Sequence, residues 1–312
     1  MIIVTGGAGF IGSNIVKALN ERGREDILVV DNLENAEKHR NLNRLFIADF
    51  VDKREFLELL PTLGRIDTIF HQGACSSTTE TDGRYMMNNN YYFSKTLLHH
   101  CLEHHIAFLY ASSASVYGNG ENGFREERAS EYPLNVYAFS KFMFDNYVRR
   151  ILQRHHPASQ VLGLRYFNVY GYQENHKGSM ASVVYHFHRQ LQEGGSMKLF
   201  EGSEDFRRDF IFVKDVVNVN MHFYDSGQSG IYNCGTGQAR SFTDIARIIQ
   251  TLESDAQIEH IPFPKHLKGK YQTFTQADSH NLREAGYRIP FTSLEDGVTQ
   301  YYQALREKGG WL

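Results

Sequence analysis

The sequence predicts an α/β fold organised around a doubly wound parallel sheet. Three features carry that prediction. Over the first 170 positions, short apolar runs alternate with longer stretches of helical periodicity. The first run enters a glycine-rich turn that opens directly into a helix. The second run ends in an acid nineteen positions beyond the last glycine of that turn. Strands and helices in such alternation pack as a parallel sheet with right-handed crossovers.

The elements follow in order. Met1-Ile2-Ile3-Val4-Thr5 reads as a short buried strand, and a helix with apolar spacing (Ile15, Val16, Leu19) lies beyond the turn. Between them, Gly6-Gly7-Ala8-Gly9-Phe10-Ile11-Gly12 has the spacing G-x-x-G-x-x-G. Gly6 permits the tight turn, Gly9 lets backbone approach a pyrophosphate, and Gly12 lets the helix pack close to the strand. Glycines alone mark many turns, but strand, turn and helix in this order form the Rossmann dinucleotide fingerprint. The helix N-terminus adds unpaired N–H groups and partial positive charge for phosphates. Further strands are expected at 27–31, 45–49, 68–71, 108–111 and 161–166, with helices at 53–60, 84–103 and 136–153. Beyond about residue 170 the alternation fades into polar loops at 173–179, 201–208 and 262–276. A dinucleotide-binding domain over 1–170 is therefore expected, with a smaller, mostly substrate-binding lobe over 171–312. The apolar segments 210–213 and 230–234 are expected to return to the first lobe, so that the two interleave.

Composition narrows the function. Apolar residues make up 41% and charged residues 22% of the 312, as in ordinary soluble globular proteins. A net charge of −3 offers no basic field for nucleic acid or an anionic membrane. No apolar run approaches the roughly 20 residues of a membrane helix, and the amino terminus is already a strand rather than a signal peptide. Cys75, Cys101 and Cys234 are odd in number and widely spaced, so neither disulfides nor a metal site is expected, and a reducing cytoplasm is. No helical metal site is expected among the paired histidines, and helix ends or solvated faces suit most of them.

Asp31 suits the ribose-binding acid, which accepts from the sugar hydroxyls and favours NAD. Lys38, His39 and Arg40 follow soon after, with Lys53 beyond the third strand, and cations there can neutralise a 2′-phosphate. Side-chain chemistry leaves NAD against NADP open. Ser112-Ser113-Ala114-Ser115 follows the fifth strand, and Tyr137-Ala138-Phe139-Ser140-Lys141 places tyrosine and lysine on one helix face. A free phenol, with a pKa near ~10, is a poor base at neutral pH. A nearby ammonium lowers it. With Ser113 on the substrate oxygen, the set suits hydride transfer at a carbinol carbon.

Gly6–Gly12, Ser113, Tyr137 and Lys141, with the runs at 165–171 and 207–216, resemble the extended short-chain dehydrogenase/reductase family and its nucleotide-sugar epimerases and dehydratases. His176-Lys177-Gly178-Ser179-Met180-Ala181-Ser182, with runs at 72–80, 199–203 and 268–272, is similar to the branch that acts on ADP-linked heptose. The resemblance implies inversion at carbon 6 through a transient ketone, for a sugar of the lipopolysaccharide core. It implies Tyr137 and Lys177 as acid/base groups on either side of the carbonyl plane, helped by Lys141 and Ser113. Gly6, Gly9, Phe10, Ile11, Gly12, Asp31, Asn32, Lys38, Lys53, Gln72, Gly73, Ala74, Cys75, Ser76, Asn89, Lys141 and Val169 match cofactor contacts. Asn168, Ser179, His186, Phe200, Glu201, Gly202, Ser203, Arg208 and Tyr271 match substrate contacts. Guanidinium suits a diphosphate, whereas His186 equally suits a structural histidine on its apolar helix. The family favours NADP and implies a homo-oligomer, a pentamer. Gln72 departs from the acid often found at its position.

Two other enzymes and one binding protein share these motifs. A 4,6-dehydratase needs Asp-Glu after the catalytic hydroxyl residue, where this chain has Ala114-Ser115. A UDP-hexose 4-epimerase shares the core motifs but not the 176–182 run. An NADP-sensing regulator typically lacks the tyrosine or lysine, and both are present here.

Overall fold

The computed structural model of the chain describes residues 1–264 and 272–312. Its first half lays down β1 (Ile2–Thr5), α1 (Phe10–Glu21), β2 (Ile27–Asp31), β3 (Asp49–Asp52), α2 (Lys53–Leu59), β4 (Thr68–His71), α3 (Gly83–Met86), α4 (Phe93–Glu103), β5 (Ala107–Ser113), α5 (Val136–His155) and β6 (Val161–Tyr166). Its second half adds β7 (Asn168–Tyr170), α6 (Val183–Gln192), β8 (Met197–Phe200), β9 (Arg207–Phe212), α7 (Val213–Ser226), β10 (Gly230–Cys234), β11 (Ala239–Ser241), α8 (Phe242–Leu252), β12 (Ile258–Ile261), α9 (His280–Glu284) and α10 (Leu294–Lys308).

Seven strands form one parallel sheet in the order β10-β6-β5-β4-β1-β2-β3. The chain is a doubly wound α/β protein, as the alternation predicts. Side chains leave a strand on alternate faces. Ile2, Val4, Ile27 and Val29 enter a core with Ile15, Val16 and Leu19 of α1. Ile3, Leu28 and Val30 enter a second core on the other face, with Phe56, Leu97 and Phe144. A sheet buried on both faces reads as continuous apolar runs rather than alternation, which is why these strands were legible. A third core joins α6, α8 and α10 to β8 and β9 through Val184, Phe187, Leu199, Phe210, Ile245 and Tyr301.

Three expectations need correction. The third strand is Asp49–Asp52, not 45–49. Leu45 and Ile47 pack on the first core as irregular chain, and pairing with β2 begins only where Asp49 lies opposite Leu28. The helix expected over 84–103 is interrupted by a π-turn at Met87–Tyr92. Of the two returning segments, β10 joins the main sheet beside β6. β9 instead pairs with β7 and β11 in a separate three-stranded sheet, although Ile211 reaches the first core. A two-stranded sheet, β12-β8, completes the strands. Among the described residues no helix is long and apolar enough to cross a membrane.

Candidate active site

The strand order reverses at β1, which lies between β2 and β4. The carboxyl ends at such a switch point are where ligands bind in open α/β sheets. The glycine turn sits there and closes tightly on itself. Gly6 has φ +68° and donates its N–H to the Val30 carbonyl at 2.7 Å. A Cβ on Gly6 would lie 2.6 Å from the Gly73 nitrogen, and one on Gly12 would lie 2.1 Å from the Gly6 carbonyl oxygen. Neither position admits a side chain: Gly6 lets the turn pass close to the 72–73 backbone, and Gly12 lets α1 pack on the turn. The bare backbone ahead of α1 fits a pyrophosphate and hence a dinucleotide.

Asp31 closes β2 and is already engaged. Its carboxylate accepts from Ala8 N–H at 2.9 Å and Asn32 N–H at 2.7 Å, and pairs with the Lys38 ammonium at 2.6 Å. The acid thus ties the glycine turn to the second strand, a task sequence alone did not suggest. Lys38 also donates to the Asn32 carbonyl at 2.9 Å. Lys53 donates to the neutral Asn89 amide at 3.1 Å. Asp31, Asn32, Lys38, Lys53, Gly73, Ala74, Cys75 and Asn89 line one cavity with Gly6. Two ammonium groups against one carboxylate leave the cavity wall with excess positive charge. Gln72 accepts from the Tyr166 hydroxyl at 3.0 Å, while its own amide nitrogen is buried without a protein partner. Ser76 lies exposed beyond Cys75.

Ser113, Tyr137 and Lys141 come together at the carboxyl end of β5. Asn135 caps α5 by accepting from Ala138 N–H at 2.9 Å, which fixes the first turn and Tyr137 within it. Ser113 Oγ accepts from both Ser115 N–H at 3.2 Å and the Ser115 hydroxyl at 2.9 Å. With both lone pairs used, its own O–H is left to donate, and it hydrogen-bonds Tyr137. Burial raises the Tyr137 pKa and the Ser113 bond opposes it. Lys141 donates to the Ala111 carbonyl at 2.8 Å. Burial lowers its pKa to about 8, resisted by Asp145 one turn along α5. The sequence expectation that Lys141 pulls the phenol down therefore differs from the arrangement found. The ammonium turns to a carbonyl, and burial governs the phenol.

The π-turn supplies groups that sequence reasoning missed. Asn90 accepts from Cys75 N–H at 2.8 Å and donates to the Cys75 carbonyl at 2.9 Å and to Ser140 Oγ at 3.1 Å. It thereby joins the 72–76 cavity wall to the helix bearing Tyr137. Behind Lys141, Asp145 accepts from Tyr110 at 2.9 Å, Ser112 at 2.8 Å and Arg165 at 2.8 Å. The i, i+4, i+8 spacing of Tyr137, Lys141 and Asp145 is a signal that would have found this acid.

Lys177 stands in the 175–180 turn. Its ammonium is 4.9 Å from the centre of the Phe10 ring and 4.0 Å from the Glu174 carboxylate. Burial lowers its pKa and Glu174 opposes that. Glu174, fully buried, accepts from Ser182 N–H at 2.6 Å and from its hydroxyl at 2.5 Å. The Ser179 carbonyl lies 3.4 Å from the His186 ring on α6. Asn168 and Val169 stand on β7, beside β9 and its Arg208. Arg208 lies over Phe242, 5.9 Å from the ring centre. Phe200 ends β8, with Glu201, left-handed Gly202 and buried Ser203 following. Ile11 sits between the first and third cores. Tyr271 lies outside the described residues.

Residues 2–235 match the NAD dependent epimerase/dehydratase family. The chain is 57% identical to the ADP-L-glycero-D-manno-heptose-6-epimerase of Brachyspira hyodysenteriae, with 100% of both chains covered. Among solved structures it is similar to the Helicobacter pylori ADP-L-glycero-D-manno-heptose-6-epimerase, with a TM-score of 0.85 and 30% identity over 98% of this chain and 96% of that one. It is also similar to Thermus thermophilus UDP-glucose 4-epimerase in complex with NAD, with a TM-score of 0.82 and 27% identity over 98% and 99% of the two chains.

Proposed function

The chain belongs to the NAD dependent epimerase/dehydratase family, and on that footing we propose that it inverts carbon 6 of ADP-D-glycero-β-D-manno-heptose to give the L-glycero epimer. One observation carries the reading: a Ser113–Tyr137–Lys141 group beside a dinucleotide cradle, on a chain 57% identical end to end to a relative bearing that activity's name. The protein is an epimerase of nucleotide sugars that works with a nicotinamide dinucleotide. The glycine turn with Phe10 and Ile11, the 72–76 segment, Asn89 and Val169 would hold that dinucleotide. When bound, it would supply the hydride acceptor and donor for carbon 6.

The protein's own groups do the rest. Tyr137 takes the hydroxyl proton of one epimer, and the Ser113 O–H, turned from Tyr137 to the substrate, steadies the oxygen as its charge changes. Lys141 keeps positive charge near the phenol. Inversion requires a proton on either side of the carbonyl plane, and Lys177 serves the second side. Burial lowers its pKa, which eases release of its proton. Arg208, Asn168, His186, Ser179, 200–203 and Tyr271 hold the sugar nucleotide. Residues 1–170 with β10 form the dinucleotide domain, and most of 171–312 closes over the substrate.

We favour NADP over NAD because Lys38 and Lys53 outnumber Asp31 in the cavity wall. The remaining proposals follow from the family resemblance: a homo-pentamer, in the cytoplasm, supplying heptose for the lipopolysaccharide inner core. Incubation with ADP-D-glycero-D-manno-heptose, followed by proton NMR, is expected to show inversion at carbon 6. Activity confined to carbon 4 of UDP-hexoses would replace this reading with a 4-epimerase. Mass spectrometry of the denatured holoenzyme is expected to give NADP. Lys141→Met should lower kcat by about 100-fold or more.

A further inference from the structure

Lys177 sits on the 175–180 turn, and its neighbours show what holds it. We propose that Asn41 is a positioning residue, whose buried carboxamide clasps the Lys177 turn to the glycine turn that cradles the dinucleotide. The inference rests on the acid/base role proposed for Lys177.

Asn41 closes the short 36–41 turn that also carries Lys38, and it is 1% exposed. Its amide nitrogen lies 2.8 Å from the Ala8 carbonyl, 3.2 Å from the Gln173 carbonyl and 3.3 Å from His176 Nδ1. Two carbonyls are acceptors only, so the –NH2 end must face them and the orientation of the carboxamide is fixed by chemistry. Burial, with Lys38 and Lys177 nearby, lowers the His176 pKa to about 4, leaving a neutral ring whose Nδ1 can accept. The clasp is reciprocal, because the Gln173 side-chain amide donates to the Asn41 carbonyl at 3.2 Å.

Gln173 needs such support. It is a non-glycine residue at φ +73°, in the left-handed region that side chains disfavour. Its N–H reaches the Gly310 carbonyl at 3.0 Å, and Asn35 donates to the His176 carbonyl at 3.0 Å. On the far side of Lys177, the chain turns through Gly178 at φ +54° and is anchored by Glu174 on Ser182. Lys177 therefore hangs between two anchors. The Asn41 anchor ends on Ala8, inside the phosphate-binding turn. The carboxamide then links the dinucleotide cradle to the segment that carries the second acid/base group.

A residue acting only through Lys177 has no effect once Lys177 is gone. Asn41→Asp keeps the shape but turns acceptors toward two carbonyls. In the holoenzyme it is expected to lower kcat about 10- to 100-fold, with KM changed less than about 3-fold and one dinucleotide still bound per chain. In a Lys177→Met background the same change should add less than about 2-fold. An undiminished effect in that background overturns the clasp, as does an unaltered kcat. Loss of dinucleotide with a normal rate per loaded site also overturns it. Should Asn41→Asp not fold, exposed Asn35→Ala decides by the same cycle, at about 3-fold. Lys177→Met at the full rate would instead sink the acid/base role, a result distinct from failure of the clasp alone.

Discussion

His71 shows how much a single buried group can contribute beneath a site. It ends β4 at 2% exposure, with Nδ1 2.6 Å from Thr5 Oγ1 and Nε2 2.8 Å from Ser94 Oγ. Thr5 Oγ1 in turn accepts from Gly73 N–H at 3.2 Å. Burial, helped by the Lys141 charge, lowers the His71 pKa from 6.5 to about 3. The unfolded chain therefore takes up a proton near pH 6.5 that the folded chain refuses until about pH 3. Stability is present above that window and is lost as pH falls through it. Between pH 6 and 4, denaturant titrations of His71→Gln should show an acid slope about one proton, ~1.4 kcal/mol per pH unit, shallower than that of the parent. The sequence made Tyr137 and Lys141 legible because helix periodicity fixes their mutual placement, and Ser113 because it ends an apolar strand. His71 and Asn41 were not legible, since their partners lie 66 residues away for Thr5 and 132 away for Gln173.

At the scale of elements, α5 is the part on which the chemistry turns. Asn135 caps it, Tyr137 and Lys141 stand on consecutive turns, and Asp145 follows on the next. Asn135→Ala removes the bond to Ala138 N–H and should cost about 1 kcal/mol of stability by thermal unfolding. Fraying of the first turn should also lower kcat by about 3- to 10-fold, with KM little changed. The boundaries of α5 were close to the sequence expectation, because its cap and apolar face are both local signals. The third strand was displaced because Leu45 and Ile47 are apolar for packing rather than for pairing. The π-turn left no trace in periodicity, since one extra residue in a turn shifts the pattern no more than ordinary scatter does.

At the scale of the molecule, a buried ionic network joins α5 to the sheet. Fully buried Arg165 of β6 bonds Asp145 at 2.8 Å, Tyr117 at 2.9 Å and Glu131. Arg149 meets Glu131 at 2.5 Å, and Tyr117 donates to Asn233 of β10 at 2.7 Å. Removing one partner strands the others, so Asp145→Ala should lower stability by about 3–5 kcal/mol in denaturant unfolding. A loss below 1 kcal/mol would show that the network relaxes into water. The sheet was readable from alternation, whereas the pairing of β9 with β7 was not, because antiparallel and parallel partners of a short apolar run look alike in one dimension.

The place of β10 at the sheet edge has a consequence for biogenesis. β6 leaves the ribosome with one side unpartnered, and its neighbour is made only after the whole excursion through β7, α6, β8, β9 and α7. At about 5–20 residues per second, that exposed edge waits for several seconds. During that interval a nascent chain offers backbone donors and acceptors to any similar segment nearby. Crowded synthesis is then a condition that favours aggregation of this enzyme.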